Sequence, residues 1–213
     1  MDYDATYAGA ADVFGSDPDP LLPGFCDQLD ASRPVLDLGA GQGRNALYLA
    51  RRGLSVHAVE PSRVGAEAMD GLARAEALPV ETFTAGFADF AAPAGSYGGV
   101  LVLGLIQILT WDEIALLQRR IDEWTTLGSL VFATAFLTSD ATYADCAATW
   151  QVLGRNSFRD ACGEVATYLE PGELAALFAG FQALHYWEGL GSEHRHGAGP
   201  PERHGRAEAV FRR

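Results

Sequence analysis

The chain has 213 residues, 48% of them hydrophobic, with 15 Lys plus Arg set against 28 Asp plus Glu for a formal charge of −13. That length and apolar content suit one globular domain with a full core. The negative charge opposes encounter with nucleic acid or an anionic membrane, so neither is expected as a partner. Lysine is absent, and every fixed side-chain cation is an arginine. Cys26, Cys146 and Cys162 are an odd set without C-x-x-C spacing, which fits neither a disulfide framework nor a thiolate zinc site. Reduced thiols in a cytoplasm are the expectation. Acids at Asp2 and Asp4 stand where a signal peptide carries bases, and no apolar run reaches membrane-spanning length. A soluble cytoplasmic monomer or homodimer is expected.

From Tyr3 to Leu22 aromatics mix with turn residues and end in Asp17-Pro18-Asp19-Pro20, predicting a short helix, a turn and a loop. A helix over about 21–29 then leads to the stretch that organises the chain, Pro34 to Ser62. Val35 to Leu38 is a buried-strand run feeding Gly39-Ala40-Gly41-Gln42-Gly43. Asn45 to Ala50 has helical spacing, Gly53 supplies a stop, and Ser55 to Val59 is a second strand closing on Glu60.

Such a unit binds a nucleoside, because glycines admit a ligand to a helix N-terminus and a carboxylate about twenty residues on accepts ribose hydroxyls. A dinucleotide fingerprint wants a third small residue at position 44, which is Arg44. Asp37 offers an anion for an ammonium group. S-adenosylmethionine is therefore preferred to NAD.

Gly39-Ala40-Gly41-Gln42-Gly43-Arg44-Asn45-Ala46-Leu47-Tyr48-Leu49-Ala50, with Gly53 and Val56, resembles the first motif of class I methyltransferases, in particular the tellurite-resistance TehB type. The resemblance implies a doubly wound, mostly parallel seven-stranded α/β sheet with an antiparallel C-terminal strand. It implies donor contacts from Tyr7, Asp37, Gly39, Ala40, Gly41, Arg44, Glu60, Pro61, Phe87, Ala88 and Leu103, with an N-terminal segment folded over the pocket. The alternative for the N-terminal aromatics is to anchor a terminus.

Farther on, a helix over about 61–73, a strand at Val80 to Thr84, an apolar strand at Gly99 to Leu103 and a capping box at Thr110 to Glu113 keep the alternation. The helix after that box runs to about Trp124, and Leu130 to Phe136 is the fifth strand. The chain departs from the family pattern at Gly86-Phe87 and at Tyr97-Gly98, where relatives carry acids. Residues 138–167 are weakly patterned, an insertion within a single domain that is either a lid over the crevice or surface elaboration. Pro171 and Glu173 suit a first helical turn ending at Gly180, followed by a strand at Phe181 to Trp187 and a last, antiparallel strand at Ala207 to Phe211.

His194, Arg195, His196, Arg203, His204 and Arg206 form a basic cluster. It reads as an oxyanion or acid/base site facing the sulfonium, one of its histidines serving as base for a hydroxyl or amine acceptor; its alternatives are a solvated hairpin or a histidine metal site, and no flanking carboxylate has a ligand spacing, so no metal is expected. The resemblance makes His194, Arg195 and Arg203 the catalytic candidates, holding the acceptor's oxygens or taking its proton. The resemblance implies a small-molecule acceptor, such as a chalcogen oxyanion or thiol. Alternatives are a small-molecule O- or N-methyltransferase and an inactive donor-binding module.

Overall fold

The computed structural model describes residues 2–10, 12–193 and 201–213. Among them the main sheet has seven strands: β1 (Val35–Leu38), β2 (Val56–Val59), β3 (Val80–Phe83), β4 (Tyr97–Val102), β5 (Thr125–Phe136), β9 (Gln182–Leu190) and β10 (Gly205–Arg212). Their order is β3-β2-β1-β4-β5-β10-β9. Every pair from β3 to β5 is parallel, and β10 enters antiparallel between β5 and β9. This is the doubly wound sheet that the alternating strands and helices predict.

Parallel strands need covering on both faces, and β1 and β4 are buried along their whole length. One face, around Leu36, Leu38, Val100 and Val131, packs against α5 (Trp111–Trp124) through Ile114, Leu117 and Ile121. The other, around Leu101, Phe132 and Val210, packs against α2 (Leu21–Phe25) and α3 (Arg44–Arg51) through Leu22, Ala46 and Leu49. The predicted capping box holds α5, with the Thr110 side chain accepting from Glu113 N–H and the Glu113 carboxylate accepting from Thr110 N–H. Gly98, where the resemblance leads one to expect an acid, has a packing reason. A Cβ there would stand 2.6 Å from the Asp30 carbonyl oxygen.

Two expectations change. Helix α7 is a short element, Glu173–Leu177, with Gly172 in the left-handed region at its start, so Pro171 lies outside it. Residues 138–167 are regular rather than irregular. They form α6 (Tyr143–Thr149) and an antiparallel meander of β6 (Gln151–Gly154), β7 (Ser157–Arg159) and β8 (Val165–Thr167). Strands of three or four residues are too short to show an alternation, and Asn156 with φ 53° makes the first hairpin turn. The unit has its own small core of Cys146, Phe158 and Tyr168. It is tied to the loop that follows β4, and the segment just after it to the end of β5. Thr167 Oγ1 donates to Leu109 O at 2.6 Å, and Leu169 N–H donates to Phe136 O at 2.8 Å.

Candidate active site

In an open α/β sheet the ligand crevice lies at the carboxyl ends of the strands where their order reverses, here between β1 and β4. The loop leaving β1 is built for close approach. Gly39, Gly41 and Gly43 all have positive φ, and a Cβ on Gly43 would lie 2.5 Å from Met69 Cγ. Glu60 closes the unit from the end of β2. Its carboxylate is buried and accepts Gly41 N–H at 2.7 Å and Ser62 N–H at 2.8 Å. Burial raises its pKa against the lowering effect of those two bonds.

Asp37 lies on β1 between the inward-packed Leu36 and Leu38 and so faces the other side, toward α3. It is 2% exposed, and its Oδ2 has no hydrogen-bond partner. Burial, only partly offset by Arg44, pushes its carboxyl up to about 7. An orphaned buried carboxylate oxygen beside a glycine loop is a place prepared for a cation.

The N-terminal segment covers this loop, as expected. The polar residues of the glycine motif hold it there. Gln42 donates to Ala10 O at 2.6 Å and accepts from Val13 N–H, Arg44 donates to the carbonyls of Phe14 and Asp17, and Asn45 accepts from Asp19 N–H at 2.8 Å. Arg44 thus reaches the strap rather than the open crevice. Helix α1 (Tyr3–Ala8) is held by Asp4, which accepts from Ser62 Oγ at 2.5 Å and from Val64 N–H. Tyr7 is buried, its phenolic oxygen 3.0 Å from where a Cβ of Gly41 would stand. Burial and the neighbouring Glu60 carboxylate raise its pKa.

The remaining donor candidates ring the loop unevenly. Ala40 is buried, while Pro61 and Ala88 are exposed and Leu103 is half-buried at the end of β4. Phe87 packs into the core cluster with Leu38, Phe90 and Leu105, which leaves its ring less open to an adenine face than its sequence position suggests. Two surface recesses among the described residues lie away from the loop, one beside Gln118 and Phe181 and one of about 390 Å³ between Trp111 and the meander.

On the far side of the crevice, Gly104 N–H donates to Thr134 Oγ1 at 2.8 Å, joining the ends of β4 and β5. Arg206 and Glu208 come from β10 opposite Phe136 and Thr134, with Arg206 donating to Glu208 at 2.5 Å. Buried Asp19 is influenced by Arg206, Arg44 and Glu208, and burial is the largest cause of its raised pKa. Arg206 and His204 belong to the basic cluster seen in the sequence, whereas Asp19, Glu208 and Asp140 were not among its candidates. Charged residues at alternate positions of a strand in the sheet interior were the available signal. Of the catalytic candidates, Arg203 donates from Nε to Gly191 O at 2.9 Å, whereas His194 and Arg195 lie outside the described residues. Among the described residues no group of three His, Cys, Asp or Glu side chains is placed to hold a metal, and no helix is long and apolar enough to cross a membrane.

Residues 35–127 match the family model described as a methyltransferase domain. No curated protein matches the chain by sequence. Among solved structures, a SAM-dependent methyltransferase from Methanosarcina mazei superposes with TM-score 0.73 at 16% identity, covering 92% of this chain and 98% of that one. A 1,6-didemethyltoxoflavin-N1-methyltransferase from Burkholderia thailandensis, solved with 1,6-didemethyltoxoflavin and S-adenosylhomocysteine bound, gives TM-score 0.65 at 19% identity over 100% of this chain and 85% of that one. TehB from Haemophilus influenzae gives TM-score 0.65 at 19% identity, covering 85% of this chain, which spans 57% of the TehB chain. At these identities the likeness is one of fold. Two findings thus agree: residues 35–127 match a methyltransferase-domain model, and the seven-stranded sheet has the fold of the methyltransferases it superposes on.

Proposed function

We propose that this methyltransferase takes its methyl group from S-adenosylmethionine and passes it to a small-molecule acceptor bearing a nucleophilic chalcogen, a thiol or a chalcogen oxyanion. The observation that carries the donor reading is the pair of buried carboxylates at the glycine loop. Asp37 has an orphaned oxygen for an ammonium group, and Glu60 stands where ribose hydroxyls are recognised. The backbone of Gly39, Ala40 and Gly41 would lie along the donor, with Pro61, Phe87, Ala88 and Leu103 toward the base and Tyr7 closing over it. Bound there, the donor supplies a methyl group on a sulfonium, open to in-line displacement. The chain's own part is alignment and exclusion of water, for which the strap pinned by Gln42, Arg44 and Asn45 is suited.

The acceptor side is assigned to the carboxyl ends of β4 and β5, with His194, Arg195 and Arg203 as holders of its oxygens. The unit at 138–167, tied to the loop after β4 and next to the end of β5, is assigned as the lid of this single domain. The three cysteines are free, which supports a reducing, cytoplasmic setting. A second reading, methylation of oxygen or nitrogen on a small metabolite, is favoured by the fold shared with the toxoflavin-precursor N-methyltransferase. Formation of S-adenosylhomocysteine is the test, with 2-mercaptoethanol, selenite and tellurite as probes for the first reading and phenol and aniline for the second. Donor binding without turnover of any probe would leave a donor-binding module and defeat the enzymatic reading.

A further inference from the structure

We propose that Gln107 holds the methyl acceptor, through a hydrogen bond between its carboxamide and an uncharged polar atom of that molecule. The acceptor is then a neutral, largely apolar small molecule rather than an oxyanion. This rests on the methyl-transfer reading above and selects within its acceptors.

The loop after β4 lies on the side assigned to the acceptor. Strands β1 and β4 run side by side and parallel, with Asp37 opposite Leu101, so Gly39 and Gly104 leave the sheet at the same end. Both glycines are exposed. Leu105 spans the gap between them, its Cδ1 3.5 Å from where a Cβ of Gly39 would stand. The loop is anchored at both of its ends. Gly104 N–H donates to Thr134 Oγ1 at 2.8 Å, and Leu109 O accepts from Thr167 Oγ1 at 2.6 Å. Between the anchors a single helical turn, Ile106–Ile108, carries Gln107.

The Gln107 side chain comes back over Gly104. A Cβ on Gly104 would meet Gln107 Nε2 at 3.7 Å and no other atom within 4 Å outside the adjoining residues. The space above this exposed glycine is therefore open, and the carboxamide borders it. Oε1 is buried and has no hydrogen-bond partner. Among the described residues nothing engages Nε2 either. The other two half-buried glutamines behave differently. Gln42 is bonded to Ala10 O and Val13 N–H, and Gln118 donates to Leu177 O at 2.5 Å. A glutamine that serves the fold is anchored in this way, whereas an unanchored one costs stability that only a ligand returns. With no bond to fix it, half a turn about its last torsion exchanges the atom facing Gly104, so the group meets a carbonyl as readily as an N–H or O–H.

The surroundings set the class of ligand. Leu103, Leu105, Ile106, Ile108 and Leu109 make up the rest of the loop's side chains. One carboxamide among aliphatic groups is the pattern of a small-molecule site, with apolar walls and few placed polar atoms. It brings no charge to offset that of an oxyanion. On β10, Arg206 is already paired with Glu208 at 2.5 Å, and Arg203 Nε donates to Gly191 O. The buried acids Asp37 and Glu60 at the glycine loop also disfavour a second anion in the crevice.

The test uses the full chain saturated with S-adenosylhomocysteine and two probes of one shape, neutral benzamide and anionic benzoate. Expected is saturable binding of benzamide, at least about 10-fold tighter than benzoate. Gln107→Met keeps the length and flexibility of the side chain without its amide. It should weaken benzamide about 3- to 10-fold and leave the S-adenosylhomocysteine Kd within about twofold. Its urea midpoint should equal or exceed that of the native chain, since an orphaned polar atom has been removed. A direct readout is nitrogen NMR of 15N-glutamine-labelled protein, with Gln107→Met to assign the side-chain amide signal, which should move with benzamide and not with benzoate. Benzoate binding as tightly as benzamide, no saturable benzamide binding, an unchanged benzamide Kd or a lowered urea midpoint in Gln107→Met, or methyl transfer to selenite or tellurite but to no thiol, phenol or aniline, would each overturn the proposal. Failure of the native chain to bind S-adenosylhomocysteine would instead defeat the methyltransferase reading.

Discussion

The donor end of the crevice is gathered from residues 34–62, a strand, a loop, a helix and a second strand in unbroken sequence. The end assigned to the acceptor collects Gly104, Thr134, Asp140, Tyr168 and His204, which are spread from residue 104 to residue 204. The first is a local motif, and its chemistry follows from residue types at fixed spacing. The second exists only when β10 is inserted beside β5 and the meander is docked, so His204 and Asp140 meet across 64 positions. A crevice built this way can keep one cofactor site while its acceptor side varies.

That contrast can be broken at either end. The largest effect is expected for Gly43→Ala, because the added Cβ would meet Met69 at 2.5 Å and the backbone has φ 90°. Crowding should cost roughly 1–3 kcal/mol and the left-handed conformation about 1–2 kcal/mol more. Urea denaturation reads this directly, and an unchanged midpoint would mean the loop is not as tightly packed as its geometry states.

Asn45→Ala should come next. The bond from buried Asp19 N–H to Asn45 leaves an unsatisfied donor when removed, at about 1–3 kcal/mol. Faster proteolysis near residues 14–20, ahead of global unfolding, is the expected sign that the motif's polar residues clamp the strap.

Asp37 gives a pH signature. Its carboxyl is pushed by burial to about 7, above the unfolded range near about 4. Between those values the folded chain holds a proton that the unfolded chain has lost, so this group's contribution is fully present below about pH 4 and is lost as pH rises through about 7. Asp37→Asn should flatten that part of the stability profile. If the donor's ammonium pairs with Asp37, binding near pH 6 should release protons, seen as a buffer-dependent calorimetric enthalpy that vanishes in Asp37→Asn.

A smaller effect belongs to residues 138–167. Amide exchange there should slow when donor and acceptor are both present and change little with donor alone. Identical exchange in all states would leave the unit as a scaffold for Asp140 and not a lid.

How much was legible follows the same division. The strand–loop–helix at 34–62, the capping box at Thr110 and the alternation of strands and helices are short-range patterns, and each is where the sequence placed it. The place of Asp37 and Glu60 beside the glycine loop was legible for the same reason, while their role is the proposal above. The roles of Gln42, Arg44 and Asn45 were not, because their partners are backbone carbonyls and amides of the strap, which carry no side-chain signature. The meander at 151–167 was missed because its strands are shorter than one full alternation. His204 was visible only as part of a basic cluster, since nothing near it in sequence announces Asp140.

The central claim, that the buried carboxylates at the glycine loop recognise S-adenosylmethionine, is tested most directly by calorimetric titration of the donor into the native chain and Glu60→Gln. Glu60→Gln keeps the shape and removes the charge, so the account predicts saturable binding to the native chain and a loss of roughly 1.5–3 kcal/mol, about 10- to 150-fold in Kd, in the variant. Equal affinity in the two proteins would contradict it.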